Sequence, residues 1–545
     1  MKKIDLGVIV TTLIIVTISC SLAFFAARIV GNPKDINLVA KNVTITFTDT
    51  SSIADETISP GWNNVKSFTI TNNSKEDFNY NILLKGLVNT FESINTLQYK
   101  ITSDTGYNMD NYLNIVKTEN SKDVVLAYDV VIPKGSKQTY QVEFKYISID
   151  EDQSSDMGKR LGGTLAIEES TGKPKIYDKL LSDNPTIKTR TDFGSVFTEA
   201  NTGTLYKSTE SFSGGESTNV YYFAGDARNN WVRFGEWQED IYLFKTTKTT
   251  SSGYIEGMYT QTLEECNNLN LGSCNKIVIA SKGDPIYWRI IRTNSDGSIR
   301  LLYSGAKPDT EVGFIDNTCW YKNSKGECLT NSENYLYYTF DDSESEIKKS
   351  VEKWYSTNLI NYDNYISKNA IYCDDKDYKI FEISVVKEFN SFIRVSGLSG
   401  QNPTTWDCIY NGKILPSFNC SSIESQYTSK LSNFGNKQLN YPIGLITADE
   451  ISFIGGRFGE INTSSWFYKN SVNGPIIKDN PWWTMSSAGW NSANSYSMAL
   501  YLNGLLHGPN VQEKKGIRPV ISIKGDNIWK SGDGSSSNPY EIVTE

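Results

Sequence analysis

Between about residues 37 and 169 the apolar side chains fall at every second position in short runs. Val43, Ile45 and Phe47 alternate with Thr44, Thr46 and Thr48, and Phe68 and Ile70 with Thr69 and Thr71. Tyr80, Ile82 and Leu84 are spaced by Asn81 and Leu83, and Tyr140, Val142, Phe144 and Tyr146 by Gln141, Glu143 and Lys145. Successive side chains of a strand point to opposite faces of its sheet, so strict alternation predicts half-buried antiparallel strands. Ser59-Pro60-Gly61, Asn72-Asn73-Ser74 and Pro133-Lys134-Gly135 supply turn-forming residues between the runs. About seven or eight such strands predict a β-sandwich over residues 37–169.

The alternation stops at residue 170. Residues 170–192 are rich in turn formers and read as a linker, with one helical turn around Tyr177–Leu181. A second unit is expected over residues 193–545. Its clearest signal is a hairpin, with Tyr287–Arg292 and Ser298–Tyr303 flanking Asn294-Ser295-Asp296-Gly297. Glu344 to Leu359 reads as a helix, because Ile347, Val351, Trp354 and Tyr355 share one face and Asp341, Asp342, Ser343 or Ser345 can cap its first turn. Thr447 heads a second short helix reaching Phe453. The composite is α+β, without an internal repeat.

The N-terminal residues carry a different pattern. Lys2 and Lys3 precede a run, Leu6 to Ala27, whose only polar side chains are Thr, Ser and Cys; Arg28 follows it. At 1.5 Å per helical residue the run spans about 33 Å, the thickness of a bilayer core. Residues 1–30 are therefore expected to be a signal-anchor transmembrane helix. The basic flank places the N-terminus in the cytoplasm and the bulk of the chain outside. A cleaved signal peptide is the alternative, with Ser21-Leu22-Ala23 offering the small residues that cleavage needs. Cys20 lacks the Leu that usually stands three residues before a lipidated cysteine, Thr17 taking that place, and is read as a small helix residue.

Composition narrows the chemistry. The 545 residues include 53 Lys+Arg against 62 Asp+Glu, a net charge of -9, eight Cys and one His. Nucleic-acid binding needs clustered basic residues to meet phosphates, so no nucleic-acid partner is expected. A single imidazole argues against His-based zinc sites and against Ser-His-Asp or Cys-His catalysis. All cysteines except Cys20 follow residue 260. Their spacing suggests Cys266 with Cys274, Cys319 with Cys328 and Cys408 with Cys420, and leaves other connectivities open. Cys373 then remains, as a reactive thiol or a buried unpaired one. No C-x-x-C occurs, so no metal is expected.

Ile58-Ser59-Pro60-Gly61, Lys66 to Asn73 and Asp77 to Ile82 resemble the immunoglobulin-like envelope domains of the TasA and camelysin type. The resemblance implies an Ig-like sandwich in a surface or matrix protein without catalysis. Further on come Pro481-Trp482-Trp483-Thr484-Met485-Ser486-Ser487, Trp490-Asn491, Gly516 to Ile523, and Gly532 to Tyr540. In that order they resemble a bacterial domain family of unknown function related to the C-type-lectin-like fold of formylglycine-generating enzymes. This implies a lectin-like domain over 193–545, with a long insert at about 305–440. Ser487 stands where the family usually has Pro. No cysteine follows Cys420, whereas the enzymes bind copper through a late cysteine pair. Catalysis therefore does not carry over, and neither an enzyme nor a cofactor is expected.

Trp482, Trp483 and Trp490 read as core, since each buries a large area. Arg518 reads as a buried fork that satisfies loop carbonyls or a carboxylate such as Asp449. Between them Asn491, Asn494, Tyr496, Tyr501, Asn503, His507 and Asn510 form the candidate ligand-binding set. They lie in the stretch that the related fold turns toward ligands, and Tyr and Asn suit recognition of glycans or peptides. Gly455-Gly456-Arg457-Phe458-Gly459 lacks phosphate-loop spacing, and Asp526 and Asp533 lack the spacing of a calcium loop. The expected function is a membrane-anchored surface protein presenting a lectin-like domain to an extracellular glycan or protein, as in adhesion. The alternative is an envelope or matrix component that assembles through its sandwich.

Overall fold

The computed structural model describes residues 25–31, 36–40, 43–49, 53–93, 95–211, 216–248, 259–260, 262–308, 314–329, 339–340, 343–375, 377–381, 386–396, 415–420, 422–471, 474–475, 481–490, 495–501 and 504–544. The fold is β-rich α+β and divides into two compact units. The first runs through Pro174 and takes back Ser182–Thr186; the second comprises Lys175–Leu181 and Ile187–Glu545.

Two sheets build the first unit. One is ordered β4 (Ile53–Ile58), β1 (Phe25–Gly31), β11 (Arg160–Glu169), β6 (Phe78–Asn89) and β9 (Thr118–Ile132). The other is ordered β2 (Ile36–Ala40), β3 (Val43–Asp49), β5 (Asn63–Asn72), β10 (Lys137–Tyr146), β7 (Leu97–Ser103) and β8 (Leu113–Asn114). The alternation read from the sequence becomes alternating burial: Gln138, Tyr140, Val142, Phe144 and Tyr146 of β10 point inward while Lys137, Thr139 and Gln141 are exposed. Phe68, Ile70, Tyr80, Ile82 and Leu84 meet them in one core drawn from both sheets. Two phenols and an amide form a buried triangle inside it, Tyr80 Oη lying 2.7 Å from Tyr140 Oη and the two oxygens 2.9 and 3.0 Å from Gln138 Oε1, and the two hydroxyl hydrogens fill two of these three contacts. The Asn72 corner is an Asx turn, since Asn72 Oδ1 accepts from Ser74 N at 2.9 Å.

The first strand corrects the expected anchor boundary. Phe25–Gly31 is strand, whereas the hydropathy run placed Phe25–Ala27 in a helix and started the sandwich at residue 37. Its backbone is paired on both sides, parallel to β11 from Ala26↔Arg160 to Gly31↔Leu165 and antiparallel to β4. Two ladders hold an extended conformation that hydropathy alone cannot report. The remainder of the proposed 6–27 span lies outside the described residues, and among those described no helix is long and apolar enough to cross a membrane.

The linker is also more ordered than expected. Ile176–Asp183 is an α-helix with Ile176 and Leu180 buried. Ile176 N donates to Asn527 O and Tyr177 N to Gly525 O, which ties this helix to the second unit.

The second unit is built around a sheet in which Pro285–Thr293 and Ile299–Tyr303 form the expected hairpin, with Gly297 at φ 79° in its turn. Ile299–Tyr303 pairs onward with Pro519–Ile523, which pairs with Ile443–Leu445. The segment read as an insert does not stand apart. Asp316–Thr318 pairs with Lys515–Ile517, and Val386–Phe389 pairs with Trp482–Trp490. Glu346–Asn358 is helical and capped by Ser345, whose side chain accepts from Lys348 N. Thr447 and Glu450 close a reciprocal capping box on Ala448–Ile454.

Cys266–Cys274 and Cys319–Cys328 are disulfides, as their spacing suggests. The third bond is Cys373–Cys420, so Cys373 is not a free thiol and Cys420 is not joined to Cys408, which lies outside the described residues. Sequence proximity misleads here because a strand pairing does the work: Tyr372–Cys373 pairs with Gln426–Tyr427, bringing the Cα atoms of Cys373 and Cys420 to 5.8 Å.

Candidate functional site

The strand Trp482–Trp490 is the platform on which the candidate stretch rests. Trp482 and Trp483 are buried, and Trp490 is half-buried at the strand's end. Trp483 Nε1 donates to Thr318 O at 2.9 Å, and its ring meets Trp320 edge-on at 6.0 Å. Arg518 is fully buried and takes the carbonyl alternative of the two foreseen for it. Nε and Nη2 donate to Tyr303 O at 3.1 and 2.8 Å, and Nη1 to Phe467 O at 3.0 Å. Burial pushes its pKa down to about 9, with the like charge of Arg289 adding to the effect.

Asp449 is committed elsewhere. Its carboxylate accepts from Arg394 Nε at 2.7 Å and Ser391 Oγ at 2.6 Å. Glu450, next in the helix, faces Arg292 and Arg300, and Arg292 also reaches Glu210 at 2.8 Å. Burial alone would raise the Glu450 pKa; Arg300 and Arg292 outweigh it and hold the carboxyl below its usual value. These charges surround a cavity of about 20 Å³, room for a water but not for a ligand. The cluster is a polar core, not a binding site.

The candidate residues sit on the outer strands of the same sheet. Trp482–Trp490 pairs with Ser495–Leu500, which pairs with Leu506–His507. Asn491, Asn494 and Asn503 lie outside the described residues. The other four fall into two pairs. His507 is exposed, and its ring centroid lies 5.6 Å from that of Tyr501 and 5.7 Å from that of Phe458. Tyr496 bridges Asn510. His507 registers with Ala499, three residues from Tyr496, and an odd separation along a strand puts two side chains on opposite faces. The register therefore sends the Tyr501–His507 pair and the Tyr496–Asn510 pair to different sides.

Two residues complete the His507 side that were not nominated from sequence. Phe458 backs the imidazole and is itself braced edge-on by Phe392 at 5.0 Å. Lys515 is buried, with Nζ 3.2 Å from Tyr501 Oη and 2.9 Å from Glu513 Oε2. Lys515 was legible as the residue before Gly516-Ile517-Arg518; Phe458 was weighed only as part of a glycine-rich loop. Partial burial lowers the His507 pKa, Glu513 acting against that shift and Lys515 with it. A neutral imidazole offers a donor and an acceptor beside two rings, which suits recognition of a polar ligand with an apolar face. Among the described residues no group of three or more His, Cys, Asp and Glu side chains is placed to hold a metal ion.

No family model matches the chain, and no curated protein does. Among solved structures, one described as "AvmM Catalyzes Macrocyclization in Alchivemycin A Biosynthesis" is 12% identical, with a TM-score of 0.14, over 26% of this chain and 98% of that one. A likeness at that score carries no argument about this chain.

Proposed function

We propose that the chain is an extracytoplasmic surface protein whose second unit binds a glycan or protein ligand through the Tyr501–His507 side of its outer strands. The apolar residues before Phe25 tether it to the membrane, and the lectin-like reading of the second unit belongs to the same proposal. One observation carries it: an exposed imidazole lies against the rings of both Tyr501 and Phe458 on a braced strand edge. Three disulfides agree with an oxidising exterior. The activity is binding without turnover. The full chain is to be screened on a glycan array and by pulldown alongside His507→Ala and Tyr501→Ala. Capture that both variants abolish supports the reading; capture that neither affects, or none at all, sinks it.

A second reading, assembly through the sandwich, is favoured by β1. It is a parallel strand in an otherwise antiparallel sheet, a short element that a second copy of the chain can supply in its place. A full chain that stays monomeric by light scattering across a wide concentration range removes this reading.

A further inference from the structure

We propose that the second unit carries another binding site, separate from the His507 edge, that takes a basic peptide segment by one of its apolar side chains. The site is a cleft of about 400 Å³ beside the helix Glu346–Asn358 and the three-stranded sheet of Ile241–Thr246, Tyr259–Thr260 and Cys274–Ala280. That volume lies at the lower end of the range of ligand pockets, roughly 300–1,000 Å³.

The floor of the cleft is aromatic, and two of its indoles keep a buried N–H without a hydrogen-bond partner, Trp237 Nε1 and Trp354 Nε1. It consists of Trp237, Tyr303 and Trp354, packed edge to face with centroids 5.6 to 6.2 Å apart. Leu243 and Phe314 add aliphatic and aromatic wall. Nothing in this floor invites a sugar to lie flat, because Trp237 and Trp354 are only 2% and 9% exposed and offer no open ring face. The outermost ring, Tyr242, already has Lys276 Nζ 3.7 Å from its centroid. A compact apolar group entering end-on matches the surface better.

The rim decides the charge of the ligand. Glu239, Asp240 and Asp316 line it against a single ammonium, Lys353. Counting Lys276 as well still leaves an excess of negative charge. Two of the carboxylates are fixed in place: Asp240 Oδ1 accepts from Lys282 N at 2.9 Å, and Asp316 Oδ2 from Ser350 Oγ at 2.6 Å. Glu239, exposed at the rim, and Asp240 keep lone pairs for an incoming lysine or arginine. Among the described residues Cys274–Ala280 is an edge strand of its sheet, and it contributes Ile279 to the cleft. An extended peptide has backbone groups to pair there. Val278, 63% exposed on the same strand, leaves apolar surface beside the cleft.

The test uses the full chain and a fluorescein-labelled peptide of alternating lysine and leucine, followed by anisotropy, with a glutamate-leucine peptide as control. The lysine peptide should bind, weaken as salt is added, and lose about tenfold in affinity with Glu239→Lys and again with Thr357→Phe, which narrows the cleft. Both substitutions are at partly exposed positions, and unchanged circular dichroism shows that each variant is folded. Absence of binding, equal binding of the glutamate peptide, indifference to both substitutions, or displacement of the peptide by neutral oligosaccharides each overturns the proposal. None of these outcomes bears on His507, so this site and the proposed surface stand or fall separately.

Discussion

Glu450 Oε1 lies 2.7 Å from Arg300 Nε, with the two side chains 2% and 1% exposed. It is an ion pair by distance and not a hydrogen bond by angle, since Arg300 Nε has no hydrogen-bond partner while Nη1 donates to Ile371 O at 3.0 Å. Charges so placed are costly to separate. Glu450→Ala leaves Arg300 without its carboxylate and Arg292 with Glu210 alone, and is expected to cost about 3–5 kcal/mol. Denaturant unfolding of the second unit measures this, and a loss below about 1 kcal/mol would show that water reaches the cluster.

The same carboxylate sets an acid limit. Because its folded pKa is below the ordinary value of 4.5, its stabilisation is in place above that value and is lost as pH falls through the folded pKa. The expected profile is flat above about pH 5 and declines below it, with a shallower decline in Glu450→Gln. Parallel melting curves for the two proteins between pH 3 and 5 would falsify the assignment.

Mapping of disulfide-linked peptides is expected to join Cys373 to Cys420. The bond closes a sequence separation of 47 residues, for which the chain-entropy model gives about 4 kcal/mol. The double serine variant should unfold at correspondingly lower denaturant. Recovery of a Cys408–Cys420 peptide from the native protein contradicts the pairing.

His507 is expected to titrate below 6.5 in the folded protein, since partial burial disfavours its charged form. The unfolded chain then takes up the proton more readily, so at this position stability declines as pH drops through 6.5 and levels off once the folded pKa is passed. Imidazole chemical shifts followed by NMR give the midpoint directly; a value above 6.5 means that Glu513 governs the ring instead. His507→Ala should leave the fold intact, because the side chain is exposed.

What the chain disclosed in advance followed local physics. Period two announced β5, β6 and β10, and Thr447 announced its helix, because the signal and the structure are both made by near neighbours. The misses are long-range. Strand pairing joined Cys373 to Cys420, and the Asp316–Thr318 strand was taken for insert because its partner, Lys515–Ile517, lies far along the chain. The candidate stretch was read as one surface, yet register divides Tyr501 and His507 from Tyr496 and Asn510. The cleft floored by Trp237, Tyr303 and Trp354 left no local trace, since its three rings come from three separated segments.

The parallel pairing of β1 with β11 has a mechanical side. A pull between the residues before Phe25 and those after Glu169 draws the two strands along each other in opposite senses. The register pairs from Ala26↔Arg160 to Gly31↔Leu165 then bear the force together in shear, not one after another as in unzipping. For a sandwich loaded between those two points, that is the geometry in which a short strand resists longest.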